Sequence, residues 1–214
     1  RVIKQTVEKI VQVEGKTSMQ TVVIKEEDLV VDAIAKNQSA IFTITREVPD
    51  IEGKIIEIST GRGFIISEDN ILVADATLVP NDGVYHVKNE NGKFKAQLLK
   101  VNQGSVSFLV VGAPLDEKNK LVFTVPTFGD LNKMKIGQKI IVFGNNIFSS
   151  VFEGNKNLRF NVGKNNGGAI VLNLEGEVLG IALAGEDGPS FLSSDAIKEA
   201  YKSITPLLAT PPTP

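Results

Sequence analysis

The chain has 214 residues, 42% apolar and 22% charged, a composition that suits either one large all-β domain or two small ones. It contains no cysteine, which excludes disulfides, thiol catalysis and thiolate metal sites. The formal charge of −2 comes from interspersed Lys and Glu; without a basic block or Trp, and with two Tyr, nucleic acid is excluded as an expected partner.

Residues 1–27 read as a β-rich arm. Residues 6–13 alternate, with Val7, Lys9, Val11 and Val13 against Glu8, Ile10 and Gln12, and 20–25 is β-branched. The polar stretch 15–18 between them allows two readings, a hairpin that needs a partner surface or a linker. Apolar residues at 29, 30, 33 and 34 then predict a short helix over 28–36 with Asp28 as its cap.

From there the pattern is β. Val/Ile/Phe runs at 40–45, 54–59, 63–67, 71–76, 84–87, 94–101 and 106–111 are separated by turn residues such as Asn81–Gly83 and Asn89–Gly92. They predict a first barrel over 28–112. A charged linker follows over 113–120, and a second β unit with a closing helix over 121–204. Its strands are expected at 121–125, 139–143, 149–152, 158–162, 169–172 and 177–184. Residues 194–204 predict a helix capped by Ser193 or Ser194, with Ala196, Ile197, Ala200 and Tyr201 on one face. Four prolines in 205–214 give a Pro-rich tail.

Four stretches carry a family resemblance. Gly61-Arg-Gly-Phe64 leads through a hairpin to Ala74-Asp-Ala-Thr-Leu-Val79. Gly129 to Asn145 is similar to an entry into a second barrel. Asn165-Asn-Gly-Gly-Ala169 precedes an apolar strand, and Ser193 to Lys198 opens the last helix. In this order they resemble the protease domain of HtrA-type trypsin-like serine proteases. The resemblance implies an all-β fold of two antiparallel six-stranded β-barrels, with a short N-terminal helix and a C-terminal helix.

Acyl transfer on that scaffold needs a hydroxyl nucleophile, an imidazole base and an orienting carboxylate, with backbone N–H groups holding the oxyanion. The resemblance places the imidazole at Thr77, the carboxylate at Ser105 and the nucleophile at Asn166. The former oxyanion-hole region is Lys164, Asn165, Asn166, Gly167 and Gly168. A register one residue away from Ser105 changes little, because no Asp or Glu occurs from Ala96 to Leu115. None of the three side chains can do the chemistry of its position, so the expectation is a domain without catalytic function. All three positions are expected to line a cleft open to solvent.

The remaining candidates have plain readings. His86, the one histidine, is expected as a solvated strand residue. Asp69 reads as a solvated turn acid, and Asp75 as a backbone hydrogen-bond partner. Gly61-Arg62-Gly63 is not a phosphate loop, since no helix follows. No side-chain cluster has metal spacing, and neither metal nor cofactor is expected. The expected function is a pseudoprotease acting as a binding, scaffolding or structural module, with a protein or extended peptide as partner. Self-association through 1–27 is plausible by resemblance. The alternative is a serine hydrolase with a non-standard site, Ser105, Ser107 or Ser190 with Lys164 as base. No apolar run reaches the ~20 residues of a membrane span. The sequence opens on Arg1 rather than Met, and an extracytoplasmic location is expected, periplasmic or at the cell surface, with an anchor upstream of Arg1 as an option.

Overall fold

The computed structural model describes residues 5–13, 16–79, 83–101, 105–156, 158, 160, 163, 166–185 and 188–204. The Pro-rich tail lies outside them. Of the two readings of the arm, the hairpin is the one formed. β1 (Gln5–Val13) and β2 (Lys16–Ile24) pair antiparallel, Gln5 opposite Ile24, in a two-stranded sheet of their own.

Helix α1 (Glu26–Asn37) begins before Asp28, on Lys25, whose side chain makes no capping bond. Glu26, Glu27 and Asp28 instead fill the first turn, where the helix dipole favours negative charge. The buried Asn37 Nδ2 lies 2.8 Å from Ala33 O and 2.9 Å from Gly176 O, and donates to both. Glu26 pairs with Lys139. These bonds fasten α1 to the second β unit.

Six strands close the first barrel in the order β3-β4-β5-β8-β7-β6. They are β3 (Ile41–Pro49), β4 (Ile55–Ile65), β5 (Ile71–Asp75), β6 (Tyr85–Asn89), β7 (Gly92–Val101) and β8 (Val106–Pro114). Phe42, Ile44, Leu72, Val87, Phe94 and Leu109 fill it. The runs expected separately at 54–59 and 63–67 form the single strand β4, because a bulge between Ile44 and Thr45 keeps the ladder running past Gly61.

The strand expected at 121–125 does not form. Leu121, Phe123 and Val125 pack against the first barrel's core, and the backbone is held by Asn91 Nδ2 to Val122 O and Thr124 N to Ser39 Oγ. The second unit comprises β9 (Lys139–Phe143), β10 (Ile147–Val151), β11 (Ala169–Leu172), β12 (Val178–Gly185) and β13 (Gly188–Ser193). They form a five-stranded sheet in the order β10-β9-β11-β12-β13. The all-β trypsin-like architecture stands, with the second unit an open five-stranded sheet among the described residues rather than a closed six-stranded barrel. One reason is the missing strand at 121–125. Of 158–162, Leu158 and Phe160 are described, and Phe160 is buried edge-on against Phe148 and Phe191. β13, unforeseen in the sequence, pairs with β12 across 180–193.

Helix α2 (Ser194–Lys202) starts on Ser193, whose Oγ accepts from Ala196 N. One buried cluster joins the two units. It contains Phe64, Val73 and Phe108 of the barrel, Ile141, Ile170, Leu172 and Ile181 of the sheet, and Ile197 of α2.

Candidate functional site

The end of β5 meets β12 across the seam between barrel and sheet. Asp75 is fully buried there. Its Oδ2 accepts from Ala184 N at 2.6 Å, and its Oδ1 accepts from Thr77 N at 2.9 Å. Thr77 Oγ lies 2.8 Å from Asp75 Oδ1 and 3.1 Å from Ala184 O, so its one proton serves either acceptor. The expected backbone hydrogen-bond role of Asp75 is thus its actual role. Thr77 is exposed, but its hydroxyl is tied to the seam.

Asn166 behaves differently from expectation. It is buried, 6% exposed, rather than open to a solvated cleft. Its Oδ1 accepts from Asn145 N at 2.5 Å and Asn146 N at 3.1 Å, and so caps the turn between β9 and β10. Its own N–H donates to Gly163 O at 2.8 Å. The amide turns inward because those two turn N–H groups need an acceptor that the short loop does not otherwise supply.

The next two residues bond to the barrel and to β12. Gly167 O accepts from Arg62 N at 2.9 Å, and Gly168 N donates to Ala182 O at 2.8 Å. Gly168 has φ +81°, and a Cβ there would stand 1.8 Å from Arg62 O. At this position glycine is required by both conformation and space. A Cβ on Gly167 would meet Leu78 Cδ1 at 2.4 Å.

Arg62 completes the arrangement. Its Nε donates to Asn145 Oδ1 at 2.7 Å. Burial pulls the guanidinium below its ordinary pKa, and among the described residues no acid offsets that shift.

No family model matches the chain. A "Probable periplasmic serine endoprotease DegP-like" of Rhizobium meliloti (strain 1021) is 28% identical over 158 residues, which cover 65% of this chain and 30% of that protein. The protein of the same name in Brucella suis biovar 1 (strain 1330) is 27% identical over 147 residues, 59% of this chain and 28% of its own. Among solved structures, the "HtrA-type protease AlgW with decapeptide" matches with a TM-score of 0.63 at 17% identity, over 81% of this chain and 66% of that one. The chain has the trypsin-like fold and is similar in sequence to HtrA-type serine proteases. It spans less than a third of the length of those curated relatives.

Within this trypsin-like fold, Ser105 is half-buried beyond the end of β5, and its carbonyl accepts from Ala76 N at 3.1 Å. Thr77, Ser105 and Asn166 are therefore each tied to backbone around one seam: Thr77 to Ala184, Ser105 to Ala76 and Asn166 to the 145–146 turn. Lys164 and Asn165 lie outside the described residues, as does the Ser190 side chain. Ser107 is fully buried with its Oγ 3.4 Å from Val79 O, closed to any substrate. Asp69 is exposed, as expected of a turn acid.

His86 is a correction. It is 7% exposed on β6 rather than solvated, with Nδ1 3.4 Å from Glu57 Oε1 and 3.8 Å from Glu47 Oε1. Cross-strand neighbours on β3 and β4 roof it over, a burial that one strand's pattern cannot show. It sits on the barrel wall, away from the seam, with no bond to Thr77, Ser105 or Asn166. No group of side chains suited to a metal ion occurs among the described residues. Arg62 and Asn145 were missed as site residues. The available signal was a cation between two glycines just before an apolar run.

Proposed function

We propose that this HtrA-type domain is a pseudoprotease, a protein- or peptide-binding module without triad chemistry. The reading rests on Thr77, Ser105 and Asn166 occupying the imidazole, carboxylate and nucleophile positions. The observation that carries it is Asn166. Its side chain is buried as an acceptor for Asn145 N and Asn146 N, and its N–H is bonded to Gly163 O. An amide held this way cannot attack a carbonyl, and a donor already satisfied inside the chain cannot hold an oxyanion. The Thr77 hydroxyl is likewise consumed by Asp75 and Ala184.

Peptide binding is supported by the neighbour solved with a decapeptide and by the edge strands β10 and β13, each paired on one side only among the described residues. A site outside the cytoplasm is supported by the relatives, which are named as periplasmic. No helix among the described residues is long and apolar enough to cross a membrane.

The test is incubation with unfolded casein and with a fluorophosphonate probe. The expected outcome is neither cleavage nor labelling. Labelling that disappears on replacing a single serine would overturn the reading in favour of a hydrolase with a non-standard site.

A further inference from the structure

Arg62 lies on β4 between Gly61 and Gly63, at the seam. Its N–H bonds to Gly167 O, and its carbonyl is close against Gly168. Those two backbone contacts do not require an arginine side chain. The side chain is nonetheless partly buried, and it reaches the β9–β10 turn, where Nε donates to the amide oxygen of Asn145. A guanidinium has five N–H donors, and this neutral acceptor engages one. Among the described residues no carboxylate pairs with Arg62. A cation partly withdrawn from water, with no counter-charge among the described residues, gains from one that a ligand supplies. The donors left over are the paired Nη groups, the face of arginine that matches a planar two-oxygen acceptor.

We propose that Arg62 is a specificity-determining anchor that receives a carboxylate of a bound extended peptide, an acidic side chain or the C-terminal group. This rests on the peptide-binding reading above and names the chemistry that the site selects. Asn145 Oδ1 fixes the guanidinium plane from the Nε side, which leaves the opposite edge to the ligand. The chain's net charge of −2 makes general attraction of acidic peptides unfavourable, so any preference for them has to arise locally.

The experiment uses the full chain, immobilised, and four pools of fluorescent ten-residue peptides with randomised flanks. Three are C-terminally amidated with a fixed central Glu, Gln or Lys, and one has a central Gln and a free C-terminal carboxylate. Wild type is expected to retain the Glu pool or the free-carboxylate pool about 10-fold better than the amidated Gln pool, a preference that falls as salt rises. The stronger of the two identifies the source of the carboxylate. Arg62→Gln is expected to erase the preference, bringing the Glu and free-carboxylate pools down to the retention of the amidated Gln pool, and Arg62→Lys to restore part of it. Retention of all pools without preference would overturn the role of Arg62 and leave peptide binding intact. Retention of none would overturn both. If Arg62→Gln lowers the melting temperature and all retention together, Arg62 is a structural strap and the proposal fails.

Discussion

Asp75 Oδ2 accepts the backbone N–H of Ala184 at 2.6 Å, so that one carboxyl at the end of β5 ties the first barrel to β12 of the second unit. The same group receives Thr77 through Oδ1. Its burial is satisfied on both oxygens, which is what makes it tolerable.

Asp75→Ala leaves the buried N–H of Ala184 without an acceptor and is expected to cost about 2–4 kcal/mol. Thr77→Val, at an exposed position with a shared hydroxyl, should cost under about 1 kcal/mol. Urea unfolding of the two variants compares them directly. Equal small losses would show that the tie to Ala184 is dispensable.

Gly168→Ala forces a Cβ onto Arg62 O at a φ of +81° and is expected to cost at least about 3 kcal/mol or to abolish soluble expression. Gly137 provides the control, with φ +92° and open space around it. Gly137→Ala should cost about 1 kcal/mol, the strain of the backbone alone. Thermal melting separates the two effects.

Thr77→His, Ser105→Asp and Asn166→Ser combined are not expected to regain protease activity. Asn166→Ser alone removes the acceptor of two turn N–H groups. Because Asn145 and Asn146 are exposed and water substitutes in part, it should cost only about 1 kcal/mol. Triad chemistry needs placement within a fraction of an ångström, and the N–H of residue 166 already belongs to Gly163. Casein cleavage by the triple variant at an ordinary protease rate would show that the scaffold is still preorganised.

Acid sensitivity should centre on Glu57. Burial works to raise its pKa, but hydrogen bonds from Lys93 and Thr45 and the charges of Lys93 and His86 outweigh it, so the carboxyl lies below its ordinary 4.5. A depressed carboxyl stabilises the fold above its unfolded value and loses that contribution as pH falls through the folded one. Wild type should therefore lose stability below about pH 4.5 more steeply than Lys93→Met, in urea midpoints taken from pH 6 to pH 3. Parallel curves would remove Glu57 from the explanation.

The first barrel was legible because its strands are short Val/Ile/Phe runs and its turns are short and polar, as at Asn89–Gly92. Residues 121–125 misled for the same reason. Leu121, Phe123 and Val125 alternate like a strand, and alternation reports which side is buried, not whether a neighbouring strand pairs. β13 was missed because Gly188 and Pro189 look like a turn, whereas the strand begins on them. At the seam, Asp75 was readable as a backbone partner. The burial of Asn166 and His86 was not, because each is covered by elements distant in sequence: the β9–β10 turn for one, β3 and β4 for the other.

The apolar cluster that runs from Phe64 and Phe108 through Ile170 and Ile181 to Ile197 belongs to neither half alone. Two bodies welded through a common interior cannot hinge about it without tearing that packing. The seam between them is therefore a fixed outline rather than a jaw, and the groups along it keep their spacing without any closing motion.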